Sequence, residues 1–550
     1  MFSRSDILGK QGHFLLDWTV DGRVYRFATA DLDVTDKAGT TYHYRKGLRR
    51  PEVTPMALGG ADASIGVQVQ SGDDWADLAS KDVQLDWQPA ILRRWFVGQT
   101  LENARISLRG VSQGSTYGAA LDPLEFSIQR LVRRRSWSYP SPQMKVDANT
   151  WSDTAGTGTY TRDPKVEGMP YPIVVGYPGE NGTATPSASV PAYLVQESDN
   201  GADTADTLLV MGHRGSATTI EVWNYSDDPP TSNTETIVYA ADDLGRTTGT
   251  VTSWGGTAPV KGAQFYTGHS AATGGGIPDP RTGNVLRGAG SLIRHWYETF
   301  SDVVVDSAMM DLQAEALDAI KIDTWFNQPV NQIEWLESNI IKLLPVSARE
   351  GERGLFYQVW NWEATSADAI AHLNADKGHV RRVSLIQPAG FDVYNSFSMQ
   401  YRLDRVTGGY RALATVTGDA AFVDRSIEQT ASNTDSRVYG SYLCAISQQA
   451  SAFGLRRAPP ISTGVIWDQA SAVQILMWQA AQRALPKRVV RYEAPTSYEW
   501  LPLGAVVVLT DDEVSLTSRL ALLTDYTYGG ESMLMELTLL DHPVTHSRAT

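Results

Sequence analysis

The chain contains a single cysteine, Cys444, so no intrachain disulfide forms and no thiolate cage for zinc or an iron–sulfur cluster exists. No apolar run approaches the roughly 18 residues that cross a bilayer as a helix. The opening Met1-Phe-Ser-Arg-Ser-Asp6 lacks the apolar core of a signal peptide, which predicts synthesis and folding in a cytoplasm. No Gly-x-x-x-x-Gly-Lys-Ser/Thr stretch occurs, so that kind of phosphate cradle is excluded. Basic residues are in deficit: 47 Lys and Arg face 62 Asp and Glu, a net charge of −15. Proteins that grip nucleic acid carry the opposite sign, because counterion release requires cations on phosphates. The nine histidines are dispersed. His542 and His546 stand four apart with Pro543 between them, and His372 and His379 flank Gly378. Neither pair supplies the three convergent ligands and base of a zinc hydrolase. No metal or other cofactor is expected.

What is present is a globular composition, 42% apolar and 9% aromatic over 550 residues, enough for roughly three to five domains. Residues 1–136 alternate with period two and predict an N-terminal β-barrel or tube-like domain. Strands are expected at 14–20 and 23–29 across Asp21-Gly22, around Ala38-Gly39, and at 64–70, 101–109 and 124–131. One short helix is expected at 75–80. Gly110-Val-Ser112-Gln-Gly114 matches the nucleophile elbow of serine hydrolases, which requires a helix after the serine. Ser115-Thr-Tyr-Gly118 and Asp122-Pro123 are turn chemistry, so a hairpin loop is expected instead. Arg130, Arg133, Arg134 and Arg135 form the densest basic run, either a grip on an acidic neighbour or a charged edge strand.

Residues 137–164 lose periodicity and predict a linker or long loop. A β-rich second region, 165–285, has expected strands at 192–195, 207–210, 219–223 and 237–239. Its acidic loop Asp199-Asn-Gly201-Ala-Asp203-Thr-Ala-Asp206 lacks the order and closing glutamate of an EF-hand, so calcium is not expected. Residues 255–290, with Gly274-Gly275-Gly276, read as a flexible connection. The period then changes to 3.6. Residues 286–364 form an α/β module with helices at 289–300, 309–320 and 330–343, a strand within 321–327, and a hairpin of 346–349 with 355–360. Residues 365–465 return to β-structure, with 399–403 pairing with 410–416 across Thr407-Gly408-Gly409. Residues 466–550 open with a helix capped by Asp468 and closed by Pro486, its apolar face formed by Val473, Leu476, Met477, Ala480 and Ala484. Strands at 488–494, 505–510, 519–526 and 533–540 follow, the last two joined by the turn Tyr528-Gly-Gly-Glu531. The fold class is α+β, mostly β, and multidomain.

The C-terminal order of apolar helix, Leu503-Gly504-Ala505-Val506-Val507-Val508 and closing Leu537-Thr538-Leu539-Leu540-Asp541 resembles phage tail hub proteins, the central baseplate or tail-tip proteins of long-tailed phages and gene-transfer particles. Gly168-Met-Pro170-Tyr-Pro172-Ile-Val-Val-Gly176 and Gln328-Pro329-Val330-Asn-Gln-Ile333 continue the likeness. The resemblance implies two tail-tube-like β-barrels, the second completed by residues 466–550. It also implies a homotrimer whose six barrels meet a sixfold distal tail protein ring. The implied partners are the distal ring, the tape-measure protein, tail fibres or a spike, phage DNA passing without specific binding, and the host envelope at infection. The implied place is the virion tail tip, assembled in the bacterial host cytoplasm, with no catalytic, cofactor or metal residues. Three copies carry about −45, which either serves solubility alone, spread over the outside, or in part lines the DNA exit channel. Screening beyond a Debye length of about 8 Å makes that a short-range, non-stick wall. Two competing readings are a glycan-cleaving or wall-degrading tail enzyme and a glycan-binding fibre. The fibre would use the sixteen Trp and twenty-three Tyr as sugar platforms. Core and interface duty accounts for those aromatics better, and no fibre-like internal repeat is found.

Overall fold

Alternating burial along Gly12–Val20 opens the fold. This strand, β1, pairs with β2 (Arg23–Ala28) across Asp21 and Gly22, both at positive φ as a type I′ hairpin demands. β3 (Leu32–Thr35) and β4 (Thr41–Lys46) form a second hairpin. β5 (Ser64–Val69), β6 (Pro89–Phe96), β7 (Arg105–Thr116) and β8 (Leu124–Gln129) complete a sheet ordered β3-β4-β2-β1-β6-β7-β8-β5. The sheet closes on itself. The chain leaving β4 bridges Leu48 to Val69 of β5, and Arg49 N donates to Gln68 O at 2.9 Å. Phe14, Leu16, Trp18, Val67, Leu92, Leu108 and Phe126 fill the barrel, while Leu15, Val34, Tyr44 and Trp95 cluster on its outside.

The computed structural model describes residues 10–49, 51, 64–70, 84–116, 123–129, 138–141, 143–152, 154–155, 158–181, 186–198, 206–255, 259–272, 274–301, 303–328, 330–350, 353–362, 364–386, 393–404, 407–417, 423–426, 430–432, 456–483, 487–529 and 532–540. The helix expected at 75–80 and the Arg130–Arg135 run lie outside them. Residues 101–103, expected as strand, form a 3-10 turn, and β7 starts at Arg105.

The stretch expected as a linker carries β9 (Ser138–Tyr139), β10 (Thr154–Ala155) and β11 (Gly158–Thr161), and Val146 within it is fully buried. β12 (Ile173–Val175) precedes a second antiparallel sheet. Its strands are β13 (Val190–Ser198), β14 (Thr207–Met211), β15 (Thr219–Asn224), β16 (Thr231–Thr236), β17 (Val238–Ala241), β18 (Thr247–Val251) and β19 (Phe265–Gly268), ordered β16-β15-β19-β13-β14-β18-β17. The two ends, β16 and β17, are one piece of chain bent at Ile237, whose N–H donates to Thr218 O at 3.0 Å. That bent segment pairs with β15 on one side and β18 on the other, so a second barrel closes around Val190, Leu194, Leu208, Val210 and Ile220.

Residues 274–276 are not a flexible connection. A Cβ on Gly276 would stand 2.0 Å from Val174 O, and Ile277 N donates to that oxygen at 3.0 Å. Glycine is there for close approach of two backbones.

The helical module follows with α1 (Ala289–Phe300), α2 (Ser307–Leu317), β20 (Thr324–Phe326), β21 (Val330–Asn331), α3 (Gln332–Asn339), β22 (Val346–Glu350) and β23 (Leu355–Val359). Asp306 caps α2 and Asn331 caps α3. α3 stops short of the expected 343 and gives way to a 3-10 turn, because Leu344 precedes Pro345 and is held extended. β20 pairs with β12, and β21 with β9.

The remaining strands are β24 (Ala369–Asn374), β25 (Arg381–Ile386), β26 (Ser396–Leu403), β27 (Tyr410–Thr417), β28 (Val423–Ser426), β29 (Thr430–Ser432) and β30 (Ile461–Ser462). Helix α4 (Gln469–Arg483) leads to β31 (Val489–Pro495), β32 (Val506–Asp511), β33 (Leu516–Gly529) and β34 (Ser532–Leu539). Asp468 caps α4 by accepting from Ser471 N at 2.8 Å. An open six-stranded sheet, β24-β32-β33-β34-β31-β25, joins the C-terminal strands to two from the preceding region, with β24 parallel to β32. One apolar core runs from Leu16 and Trp18 through Trp296 and Leu336 to Leu476 and Leu537.

Candidate functional site

Ser112 lies inside β7, in neither an elbow nor a hairpin loop, and is fully buried. The strand continues through Gly110 to Thr116 because β8 pairs with it on one side, while β6 as far as Val111 and then residues 87 and 88 bond it on the other. Its hydroxyl accepts from Trp18 Nε1 and Gln88 N, both at 3.2 Å, and donates to Leu85 O. A hydroxyl so engaged offers no accessible nucleophile. It fastens the segment 85–88 to the barrel. Trp87 N donates to Ser112 O at 2.6 Å, Ser112 N to Gln88 O at 2.9 Å, and Ser115 Oγ to Asp86 Oδ1 at 2.7 Å. The Ser115 hydroxyl holds Asp86 below the usual carboxylate range.

Two seams of buried charge join the barrels to the rest of the chain. At the first, Arg94 of β6 stands beside Phe14, its guanidinium 4.7 Å from that ring. Its Nε and Nη2 donate to Glu499 Oε2 and Oε1, each at 2.7 Å, with both side chains almost wholly buried. Arg105 donates to Glu499 O at 3.3 Å and to the Tyr526 hydroxyl. The first barrel is thereby pinned to the C-terminal segment.

At the second seam, Arg287 grips the fully buried Asp323 with both Nε and Nη2, at 2.7 and 2.8 Å, and also pairs with Glu180. Burial raises the Asp323 pKa against the opposing pull of Arg287, while its carboxylate raises that of Arg287. Two histidines sit nearby. His213 Nε2 accepts from Val174 N at 3.0 Å and its Nδ1 faces Arg214 O at 3.0 Å, which fixes Nδ1 as the protonated nitrogen. His269 is fully buried, and its Nδ1 has no hydrogen-bond partner among the described residues. Loss of water lowers His213 to about 4 and His269 to about 3, the latter also feeling His213.

A cleft of about 1140 Å³ opens at one end of the six-stranded sheet, between the turn 375–380 and the ends of β31, β32 and β34. Every carboxylate lining it is engaged. Arg382 holds Asp511 with two bonds of 3.0 Å and also pairs with Glu513. Tyr492 donates to Asp511 at 2.7 Å, and burial together with that carboxylate raises the tyrosine's pKa. Glu493 accepts from Ser532 Oγ at 2.7 Å, and Asp376 from Asp512 N at 3.2 Å. A glycosidase needs one carboxyl kept neutral as an acid and one free as a base or nucleophile. This network instead ties the β24–β25 turn to the sheet.

The histidines singled out in sequence do not converge. His372 bonds Thr510 Oγ1 at 2.9 Å, His379 sits in the exposed turn, and His542 and His546 lie outside the described residues. Cys444 and residues 199–205 of the acidic loop lie outside as well, whereas Asp206 is buried. Among the described residues no group of three or more His, Cys, Asp or Glu is placed to hold a metal, and no helix is long and apolar enough to cross a membrane. Both charged seams were missed in sequence, since each joins residues remote in the chain and no local pattern marks an arginine destined for burial.

No family model matches the chain, and no curated protein matches it. Solved structures similar to it include three phage or particle proteins. The 43 kDa tail protein of prophage MuSo2 from Shewanella oneidensis is 8% identical over 96% of this chain and 99% of that one, at a TM-score of 0.37. The prophage tail protein gp18 from Listeria monocytogenes EGD-e is 8% identical over 92% and 94%, at 0.32. A chain of the virion of a native gene transfer agent particle is 13% identical over 72% and 90%, at 0.35. Similarity at this level assigns neither role nor site.

Proposed function

We propose that this chain is a structural virion protein of a phage tail or gene-transfer particle, acting as the central hub of the tail tip or baseplate. In this reading three copies form a ring that joins the distal tail ring to fibres or a spike and surrounds the DNA exit channel. The observation that carries it is the Arg94–Glu499 seam, which fastens a closed N-terminal barrel to the C-terminal segment bearing the hub-like Leu503–Val508 order. A ring under load requires barrels that cannot pivot on their own chain. Phage DNA passes such a ring without being held, in keeping with the net charge of −15. The tape-measure protein, distal ring and fibres or spike are the partners of this role, and the virion tail tip is its place.

Electron-microscope images of the purified protein test this. Rings with threefold symmetry and a central hole are expected; a monomer at micromolar concentration overturns the reading. The enzyme alternative has its own assay. Release of fragments from host wall material, abolished by Asp511→Asn, would replace the hub with a glycan-cleaving enzyme.

A further inference from the structure

The outer face of the first barrel carries a group of residues that its core does not use. Strand register places Arg26 opposite Asp17, Asp17 opposite Ile91, and Ile91 opposite Arg109, so one row crosses four strands. Arg93 lies two residues along β6 on the same face. Arg26 and Arg93 therefore flank one carboxylate, which also accepts from the Tyr44 hydroxyl at 2.8 Å, while Arg109 stands on the far side of β6. Arg93 pairs with Asp17, and Arg26 Nε comes within 3.4 Å of it. The Nε atoms of Arg26 and Arg109 are buried without a hydrogen-bond partner among the described residues. Burial, and then the Arg109 charge, lower Arg93 to about 10.

Beyond this row the face turns apolar. Pro89 is exposed, Ile91 and Val111 are half-buried, and Trp87 just before β6 is 50% exposed. Trp87 has φ of +67°, a conformation that suits glycine and strains a bulky side chain. The Ser112 and Ser115 bonds described above hold it there. An exposed tryptophan kept in a strained backbone by a buried hydroxyl network is poor economy for folding alone. Tryptophan and arginine are both enriched at interface centres, and this one face carries both.

We infer that this face, centred on Trp87 and Arg109, is the contact through which one copy of the chain receives an acidic surface of the next. Charge complementarity selects the occupant: the patch is basic within a chain of net charge −15, so a second copy offers carboxylates to it. The contact is heterologous, a basic patch on one copy against a different surface on its neighbour, and such contacts form a ring when the rotation between copies closes. The inference rests on the ring-forming role proposed above.

Sedimentation and imaging of the full-length protein test it with Trp87→Gly, Arg109→Glu and, as a control, Val260→Ser, which replaces another exposed apolar residue. The wild type and the control are expected to form rings that weaken with added salt. W87G and R109E are expected to weaken self-association at least about tenfold. W87G should do so while unfolding at the same or a higher temperature, because glycine relieves the positive φ. Rings that persist in both variants at wild-type concentration overturn this contact and leave the hub reading standing. Loss of rings together with a lower unfolding temperature in W87G assigns Trp87 to the fold and also overturns it. A wild type that never forms rings overturns both.

Discussion

Arg94 and Glu499, 405 positions apart, meet in a two-bond ion pair from which water is almost wholly excluded. Removing one partner strands the other charge. Glu499→Ala is expected to lower stability by about 3–5 kcal/mol, whereas the paired change Arg94→Met with Glu499→Leu should cost far less or stabilise. Denaturant unfolding of the three proteins checks this, and equal losses in the single and double variants would contradict it.

His213 and His269 make stability depend on pH. Both have folded-state pKa values below the ordinary 6.5, at about 4 for His213 and about 3 for His269. Above pH 6.5 neither state binds the proton, and the full stability is present. As pH falls below 6.5 the unfolded chain takes up protons that the folded chain refuses. Stability then drops by about 1.4 kcal/mol per pH unit for each histidine, until the folded pKa is reached. Between about pH 6 and 5, where few carboxylates titrate, His269→Gln should flatten the slope by about one histidine's share. An unchanged slope would remove His269 from the account.

Gly276→Ala places a methyl group against the backbone of Val174, which cannot swing aside as a side chain would. A loss of about 3 kcal/mol is expected, at the upper end of ordinary overpacking. Gly66→Ala is the control, because a Cβ there meets nothing within 4 Å. Thermal unfolding of both variants gives the comparison.

Ser112→Ala removes the group that serves Trp18, Gln88 and Leu85 at once. Stability should fall by about 1–3 kcal/mol, the cost of leaving buried polar groups unmatched. No esterase activity should be detectable before or after the change. Turnover in the wild type that vanishes in the variant would reinstate the nucleophile.

Much of the fold was legible because its signals are local. Asp21-Gly22 announces the first hairpin, Asp468 the last helix, and the apolar run 505–509 a strand that forms as Val506–Asp511. What failed was governed by distant partners. β6 is not among the expected strands, and the partners of its adjacent Arg93 and Arg94 lie elsewhere in the chain, Asp17 for one and Glu499 for the other. Gly274 to Gly276 look like freedom in sequence, yet a glycine that yields to a neighbouring backbone is written with the same letter as one that bends. The Gly110–Gly114 pattern carried the correct exclusion of an elbow for an incomplete reason. The serine is not in a loop; it is locked in a strand.

The parallel pairing of β24 with β32 has a consequence for synthesis. Residues 369–374 leave the ribosome well before 506–510 exist, and β25 likewise waits for β31. At roughly 5–20 residues per second, about 10–30 s pass before the strand ending at Leu539 is available. Through that interval the early strands have unclaimed edges, and Arg94 in the first barrel has no carboxylate. A chain broken off before Glu499 can satisfy neither. Such fragments should be recognised and degraded by the cell, so that only finished copies persist.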